Sequence, residues 1–360
     1  MYPTLIPEFG LSVIKVLTLS AFAFVGAILW TPLLTHYLYK YKMWRKEVRQ
    51  KAVDGYGTPI FAKLHAEKEV GTPRMGGLLI WITVLGTALI VYGSTLLFPH
   101  DPLLQKLNFL SRNQTWLPLA TLLAASLVGL LDDLLQIYKK GGYAAGGLRF
   151  SRRLLTVALI GFVGALWFYF RLDQTTIHVP FVGDFEIGFL YIPLFVIAML
   201  GVFSGGVVDG LDGLSGGVFA IIFGAFGIIA FFNNQMDLAA MAGVIMGALL
   251  AFLWFNIPPA RFYMGESGIL GLTTVVTVFA FMTDSVFVLP LITLILVLES
   301  ASVIIQLVSK RLRKGKKVFL VAPLHHHFEA LGWPAYKVTM RFWIISAVAA
   351  MLGVIIRLSG

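Results

Sequence analysis

Apolar residues in this chain come in long unbroken runs, without the alternation of half-buried strands or the one-sided stripe of soluble helices. Ten runs, at about 11–34, 75–97, 116–138, 153–171, 187–204, 214–232, 238–255, 267–283, 285–307 and 339–357, are near the roughly 20 residues that a helix needs to cross a hydrocarbon core of ~30 Å. Together they take most of the 360 residues and leave no room for a sizeable soluble domain. The expectation is an all-α polytopic membrane protein, one domain over residues 1–360 with about ten transmembrane helices. Residues 175–187 break the pattern. They alternate loosely around Gly183-Asp184, which predicts a small β-hairpin with His178 on its surface.

Composition agrees: 58% of residues are hydrophobic and 13% charged, with mean hydropathy +0.85, whereas soluble domains carry about 25% charged residues. The first run is longer than a signal-peptide core and has no basic segment before it. The absence of cysteine excludes disulfides, thiolate metal sites and cysteine nucleophiles. A net charge of +10 raises the question of nucleic acid, but its distribution answers otherwise. All but five of the 28 Lys and Arg fall in 35–74, 132–153, 255–268 and 308–341, alternate connections on one side of the expected bundle. That is the positive-inside asymmetry, which makes these loops cytoplasmic and puts both termini outside. No basic domain of a nucleic-acid reader is present; anionic membrane lipids and phosphorylated substrates fit the same charge.

The chemistry-bearing residues gather on that basic side. Asp132 and Asp133 come about 24 Å of helix rise after Trp116, at the boundary, where an ionised carboxylate demands a cation partner. The turn Gly205-Gly-Val-Val-Asp-Gly-Leu-Asp-Gly-Leu-Ser-Gly-Gly217 carries Asp209 and Asp212, whose spacing on a helical turn would put both carboxylates on one face; the bland alternative is a glycine-rich turn with solvated aspartates. Asn256, Arg261 and Glu266 follow in the next connection. Thr72 and Pro73 read as N-cap and first residue of the second span, with phosphate binding by the helix amides as the functional alternative. Ala322-Pro-Leu-His-His-His-Phe-Glu329 places His325, His326 and His327 on the same side, after the polybasic run 310–317. Glu299 lies within the ninth run, where a glutamate either bonds a neighbouring helix or serves function. Hard oxygen ligands without thiolates favour Mg²⁺, with Mn²⁺ as the alternative, over zinc. Mg²⁺ beside basic side chains is the equipment of phosphoryl transfer, and histidine can hold a phosphate or move a proton.

From about residue 68 onward, several blocks resemble the polyprenyl-phosphate N-acetylhexosamine-1-phosphate transferase superfamily, and within it the phospho-N-acetylmuramoyl-pentapeptide transferase family. The blocks are Thr72-Pro-Arg-Met-Gly-Gly77, Asp132-Asp133, Asp209-Gly-Leu-Asp-Gly-Leu214, Phe252-Leu-Trp-Phe-Asn256, Met264-Gly-Glu-Ser-Gly268 and Ala322 through Pro334, continuing to Arg341-Phe-Trp-Ile-Ile345. The histidine block is the specific one. The resemblance implies transfer of phospho-MurNAc-pentapeptide from UDP-MurNAc-pentapeptide to undecaprenyl phosphate, giving lipid I and UMP in peptidoglycan synthesis. It further implies a bacterial inner-membrane enzyme with its active site on the cytoplasmic face and a Mg²⁺ requirement; a homodimer is compatible with it. Asp132, Asp133, His325, His326 and His327 match catalytic positions. Asp209, Asp212 and Asn256 match the uridine side, with Thr72 and Lys68 also expected at the substrate. Glu266 stands at the metal ligand's place, and Glu299 would border a lipid groove. The chain departs from the family pattern at Gly206 for asparagine, Glu266 for aspartate, Gln136 for lysine, and Glu69-Val70 where a basic residue precedes the Thr-Pro motif. Three alternatives compete: a related sugar-1-phosphate transferase, a catalytically altered homologue acting as a scaffold, and an ion-coupled transporter. The last would place its acids near the midplane on related halves.

Overall fold

The computed structural model describes residues 5–46, 70–140 and 147–360. Its helices are α1 (Leu5–Lys40), α2 (Gly77–Leu97), α3 (Pro102–Leu107), α4 (Trp116–Ile137), α5 (Phe150–Arg171), α6 (Tyr191–Ser204), α7 (Leu214–Phe232), α8 (Met236–Asn256), α9 (Glu266–Met282), α10 (Leu289–Ile292), α11 (Leu294–Leu312), α12 (Leu324–Ala330) and α13 (Ala335–Ser359). Among the described residues, eight helices are long and apolar enough to cross a membrane: α1, α2, α4, α5, α6 with its flanking turns, α7, α8 and α13. The run 267–283 gives the 17-residue α9. The run 285–307 is split at Thr293 into α10 and α11. Pro290 sits in the first turn of α10, the place a helix tolerates proline, so the residues before it turn instead of extending α9.

The bundle is built around α9. Every residue from Ser267 to Met282 is buried, with α4 alongside it and α2, α5, α6 and α7 closing the ring. A helix without solvent contact must satisfy its polar groups internally. Thr273 and Thr274 do so by donating to the carbonyls of Ile269 and Leu270, at 2.7 and 2.8 Å. Beyond this ring, α8 lies between α1 and α7, and α13 packs on α7. Leu29 and Leu33 of α1, Val163 of α5 and Ile344 of α13 project outward into the apolar surface. Close approach is secured where side chains are missing. A Cβ on Gly129 of α4 would lie 2.0 Å from the Glu266 carbonyl oxygen, and one on Gly77 would lie 2.1 Å from Gly268 N.

The far end of the bundle carries the expected hairpin. Strand β1 (Thr176–Val179) pairs antiparallel with β2 (Gly183–Glu186), Thr176 opposite Glu186. The turn falls at 180–182, ahead of the predicted Gly183-Asp184, and Gly183 (φ +113°) opens the second strand. His178 is partly buried, bound to Asp184 at 2.7 Å and to the Gly360 carbonyl at 3.2 Å. The C-terminus therefore shares this end, as does Lys15 of α1, which bonds Asp237 at 2.7 Å. Asp132 and Asp133 lie at the opposite end of α4.

The second span corrects the sequence reading. Thr72 and Pro73 do not cap it; α2 begins at Gly77. Instead the segment before it is zipped to the 263–264 strand-like turn. Tyr263 N donates to Pro73 O, and Gly76 and Gly77 donate to Tyr263 O and Met264 O, all at 2.8 Å. These bonds between segments distant in sequence take the place of a local cap. Since the contact at Gly129 is with backbone, no rotamer can relieve it. Gly129→Ala should cost about 1–3 kcal/mol and lower the thermal midpoint in detergent. Gly86→Ala, where a Cβ meets nothing within 4 Å, should leave it unchanged or raise it.

Candidate active site

One helical turn beyond Gly129, Asp133 reaches the N-terminus of α9. Its Oδ1 accepts from Glu266 N at 3.1 Å and its Oδ2 from Ser267 N at 2.9 Å. Unpaired amides and the positive end of the helix dipole favour a carboxylate there. Gly265, with φ +71°, turns the chain into the helix, and a Cβ on it would lie 2.5 Å from Asp133 Oδ2. Gly265 N donates at 3.2 Å to Asp209 Oδ2, whose other oxygen accepts from Ser215 Oγ at 2.8 Å. Three successive amides thus face two carboxylates from distant parts of the chain. Burial pushes the Asp209 carboxyl above the ordinary carboxylate range, against those bonds and the Arg74 charge.

Asp132, the preceding residue of α4, points about 100° away from Asp133. It accepts from Gln136 Nε2 at 2.9 Å and from Leu148 N, and Arg153 Nη2 lies 2.9 Å from its Oδ2. The same guanidinium binds Glu266 Oε1 through Nη1. Arg74 approaches Asp133 at 3.6 Å, and Arg45 donates to Gln136. Both aspartates are fully buried, so the cations demanded of them are supplied by Arg153 and Arg74. The sequence reading had singled out none of Arg45, Arg74 and Arg153. A basic residue in the first turn of α5 and another inside the Thr-Pro-Arg-Met block were the available signals.

The histidines do not act as one set. Successive residues on a helix point about 100° apart, so three in a row on α12 cannot share a direction. His325 and His326 turn inward and are buried. His327 instead accepts from Leu320 N at 3.2 Å and rests against Phe319, 5.4 Å between ring centroids, away from the carboxylates. A Cβ on Gly210 would lie 2.1 Å from His325 Nε2 and 3.1 Å from His326 Nε2, which seats both rings against the turn that carries Asp209 and Asp212.

The remaining expected residues divide. Residues 209–213 form a turn, not a helical face; glycine conformations such as Gly213 (φ +79°) send Asp209 inward and leave Asp212 half-buried. Asn256 is buried and structural in its contacts, accepting from Gly213 N and donating to Phe262 O, both at 2.9 Å. Thr72 hydrogen-bonds the Tyr263 hydroxyl, whose pKa is pushed up to about 12 by burial and the Asp212 charge. Glu299 is fully buried and binds His325, so its carboxylate does not line a groove. Lys68 lies outside the described residues.

The expected Mg²⁺ can be tested against the donors. Among the described residues no group of three or more His, Asp or Glu could hold a metal by itself. Mg²⁺, however, usually takes one or two carboxylates and completes its shell with water and substrate phosphates. Asp132 and Glu266 already share one cation, the Arg153 guanidinium. The pair fits Mg²⁺ in charge and ligand type once that guanidinium yields.

Residues 115–284 match the family model described as glycosyl transferase family 4. The phospho-N-acetylmuramoyl-pentapeptide-transferase of Listeria monocytogenes is 31% identical over 350 residues, 96% of this chain and 98% of its own. The protein of that name from Oceanobacillus iheyensis is 37% identical over 297 residues, 81% and 85% of the two chains. That from Shouchella clausii is 33% identical over 339 residues, 93% and 95%. With relatives this similar along nearly its whole length, the chain belongs to the phospho-N-acetylmuramoyl-pentapeptide-transferase family.

Proposed function

We propose that this protein transfers phospho-MurNAc-pentapeptide from UDP-MurNAc-pentapeptide to undecaprenyl phosphate, forming lipid I and UMP, at the cytoplasmic face of the bacterial inner membrane. The observation that carries the reading is the meeting of Asp132, Asp133, Asp209 and Glu266 with two guanidiniums at one end of the bundle. The lipid acceptor cannot leave the bilayer and the charged donor cannot enter it, so such a reaction needs its charged groups at a boundary. The Lys and Arg excess on that side supports the cytoplasmic assignment. An apolar groove of about 270 Å³, lined by Val128, Leu131, Leu134, Leu135, Tyr138, Lys140 and Leu148, opens beside Asp132 and suits a prenyl chain with a cation near its mouth.

In the transfer, an oxygen of the lipid phosphate attacks the phosphorus that bears the sugar, and the bond from that phosphorus to UMP breaks. Catalysis of this kind is mainly positioning and charge stabilisation. Arg153 and Arg74 can turn their charge from carboxylates to phosphate oxygens, for which a guanidinium is well shaped. Asp132 and Glu266 would hold Mg²⁺, or Mn²⁺ in its place, which supplies neutralisation of the diphosphate. Both oxygens of Asp133 accept amides of α9, which favours a charge and positioning role over a nucleophilic one.

The direct test is UMP release by the purified protein from UDP-MurNAc-pentapeptide and a polyprenyl phosphate, with and without Mg²⁺. Mg²⁺-dependent release is expected; none under any condition favours the scaffold alternative. Asp133→Asn keeps one acceptor oxygen at α9 but loses the charge, and should lower kcat by about 10²-fold or more. Its thermal midpoint tells an unfolded variant from an inactive one. Glu266→Asp draws the carboxylate one methylene back from Arg153 and should keep kcat within about tenfold, since oxygen ligation survives. Complete loss would show a site rebuilt around glutamate.

A further inference from the structure

Asp132, Asp133 and Asp209 have both their oxygens engaged. Asp132 is held by Gln136, Leu148 and Arg153, Asp133 by Glu266 N and Ser267 N, and Asp209 by Ser215 and Gly265. Each of these carboxylates is committed to holding its neighbours. By contrast, the basic atom His325 Nε2 is buried and has no hydrogen-bond partner.

Its other ring nitrogen explains why. Glu299, inside α11, accepts from the His325 backbone N–H at 3.2 Å through Oε1 and meets His325 Nδ1 at 2.9 Å through Oε2. Both side chains are fully buried. Opposite an ionised carboxylate, which only accepts, a neutral ring carries its hydrogen on Nδ1 and its lone pair on Nε2. His326 is set the same way, its Nδ1 2.7 Å from Glu329 Oε2, and the two rings lie 4.1 Å apart between centroids. Both Nε2 atoms face the bare Cα of Gly210. The titratable groups around His325 are Glu299 from α11, His326 and Glu329 from α12, and Asp209 and Asp212 flanking Gly210.

The acceptor in the proposed reaction is a phosphate monoester, whose second proton leaves near pH 6; the sugar-nucleotide diphosphate has no such proton. We propose that His325 Nε2 is the base that takes the acceptor phosphate's proton, and that Glu299 is the positioning residue that keeps Nε2 bare. The inference rests on the transferase reading. The proton passes from the lipid phosphate to Nε2, the freed oxygen pair forms the new P–O bond, and the bonding pair leaves on UMP. UMP is itself a monoester and takes the proton back from Nε2, which restores the neutral ring.

Glu299→Gln is the discriminating variant. Its amide oxygen would stay on the backbone N–H of His325, so the amide nitrogen would face Nδ1 and donate to it. The ring hydrogen is then forced onto Nε2, which can no longer accept. In the full-length protein in nanodiscs, ¹⁵N-histidine NMR should show the Nδ1–H tautomer at His325 in the wild type and the Nε2–H tautomer in Glu299→Gln. At pH 5, where most of the acceptor still carries that proton, the variant should lose about tenfold in kcat, with the KM for the sugar nucleotide unchanged. The deficit should shrink as pH rises and the acceptor arrives already ionised. Glu299→Asp should recover part of the rate, because it restores the carboxylate. The proposal is overturned if the wild type already carries Nε2–H, or if Glu299→Gln flips the tautomer without changing kcat or its pH profile. Absence of UMP release from the wild type would sink the transferase reading and the proton-transfer role with it, while the NMR still judges the tautomer lock.

Discussion

The structure depends on one contact, the carboxylate of Asp133 against the first amides of α9. A helix buried along its whole length cannot have its N-terminal N–H groups solvated, and each unpaired group would cost of order 1–3 kcal/mol. Asp133 meets two of them from α4, and Asp209 meets the amide just before. That arrangement requires α4 to come within backbone distance of α9, which Gly129 permits. It also requires a chain reversal with positive φ, which Gly265 provides. Cap, glycine and buried helix stand or fall together, and the carboxylates of the site are ordered as a by-product of finishing the core.

Charge in this buried region is balanced by arginine. Arg153 spans Asp132 and Glu266 while Arg74 approaches Asp133, so the two guanidiniums offset part of the mutual repulsion of the cluster. The extra methylene of Glu266 relative to aspartate gives its carboxylate the reach to share a guanidinium with Asp132. Substitution at that position therefore has a local structural consequence, whatever it does to catalysis. Gln136 bridges Asp132 to Arg45, so a positive charge reaches this flank of α4 from a neighbouring segment.

Much of this was legible in the sequence. Runs of about 20 apolar residues need only the period and thickness arguments, and Asp132-Asp133 stood out because carboxylates at the end of an apolar run demand partners. The identity of the partners was not legible, because Arg74 and Arg153 read as ordinary boundary cations until the fold brings them to the aspartates. The Thr72-Pro73 signal was read as a cap because local rules see only the chain ahead, whereas the bonds that win come from Tyr263 and Met264. Three histidines in a row suggested a triad. Helical geometry allows only His325 and His326 to share a side, and His327 braces the segment around Phe319. Glu299 was visible as an intramembrane acid, but its partner lies 26 residues away across a polybasic loop.

Asn256 has a consequence of its own. With its amide oxygen accepting from Gly213 N and its amide nitrogen donating to Phe262 O, it ties the turn bearing Asp212 to the loop bearing Tyr263. The walls on either side of that junction are therefore preorganised before any ligand arrives. A ligand that touches either loop meets backbone already ordered and loses little entropy to loop ordering there.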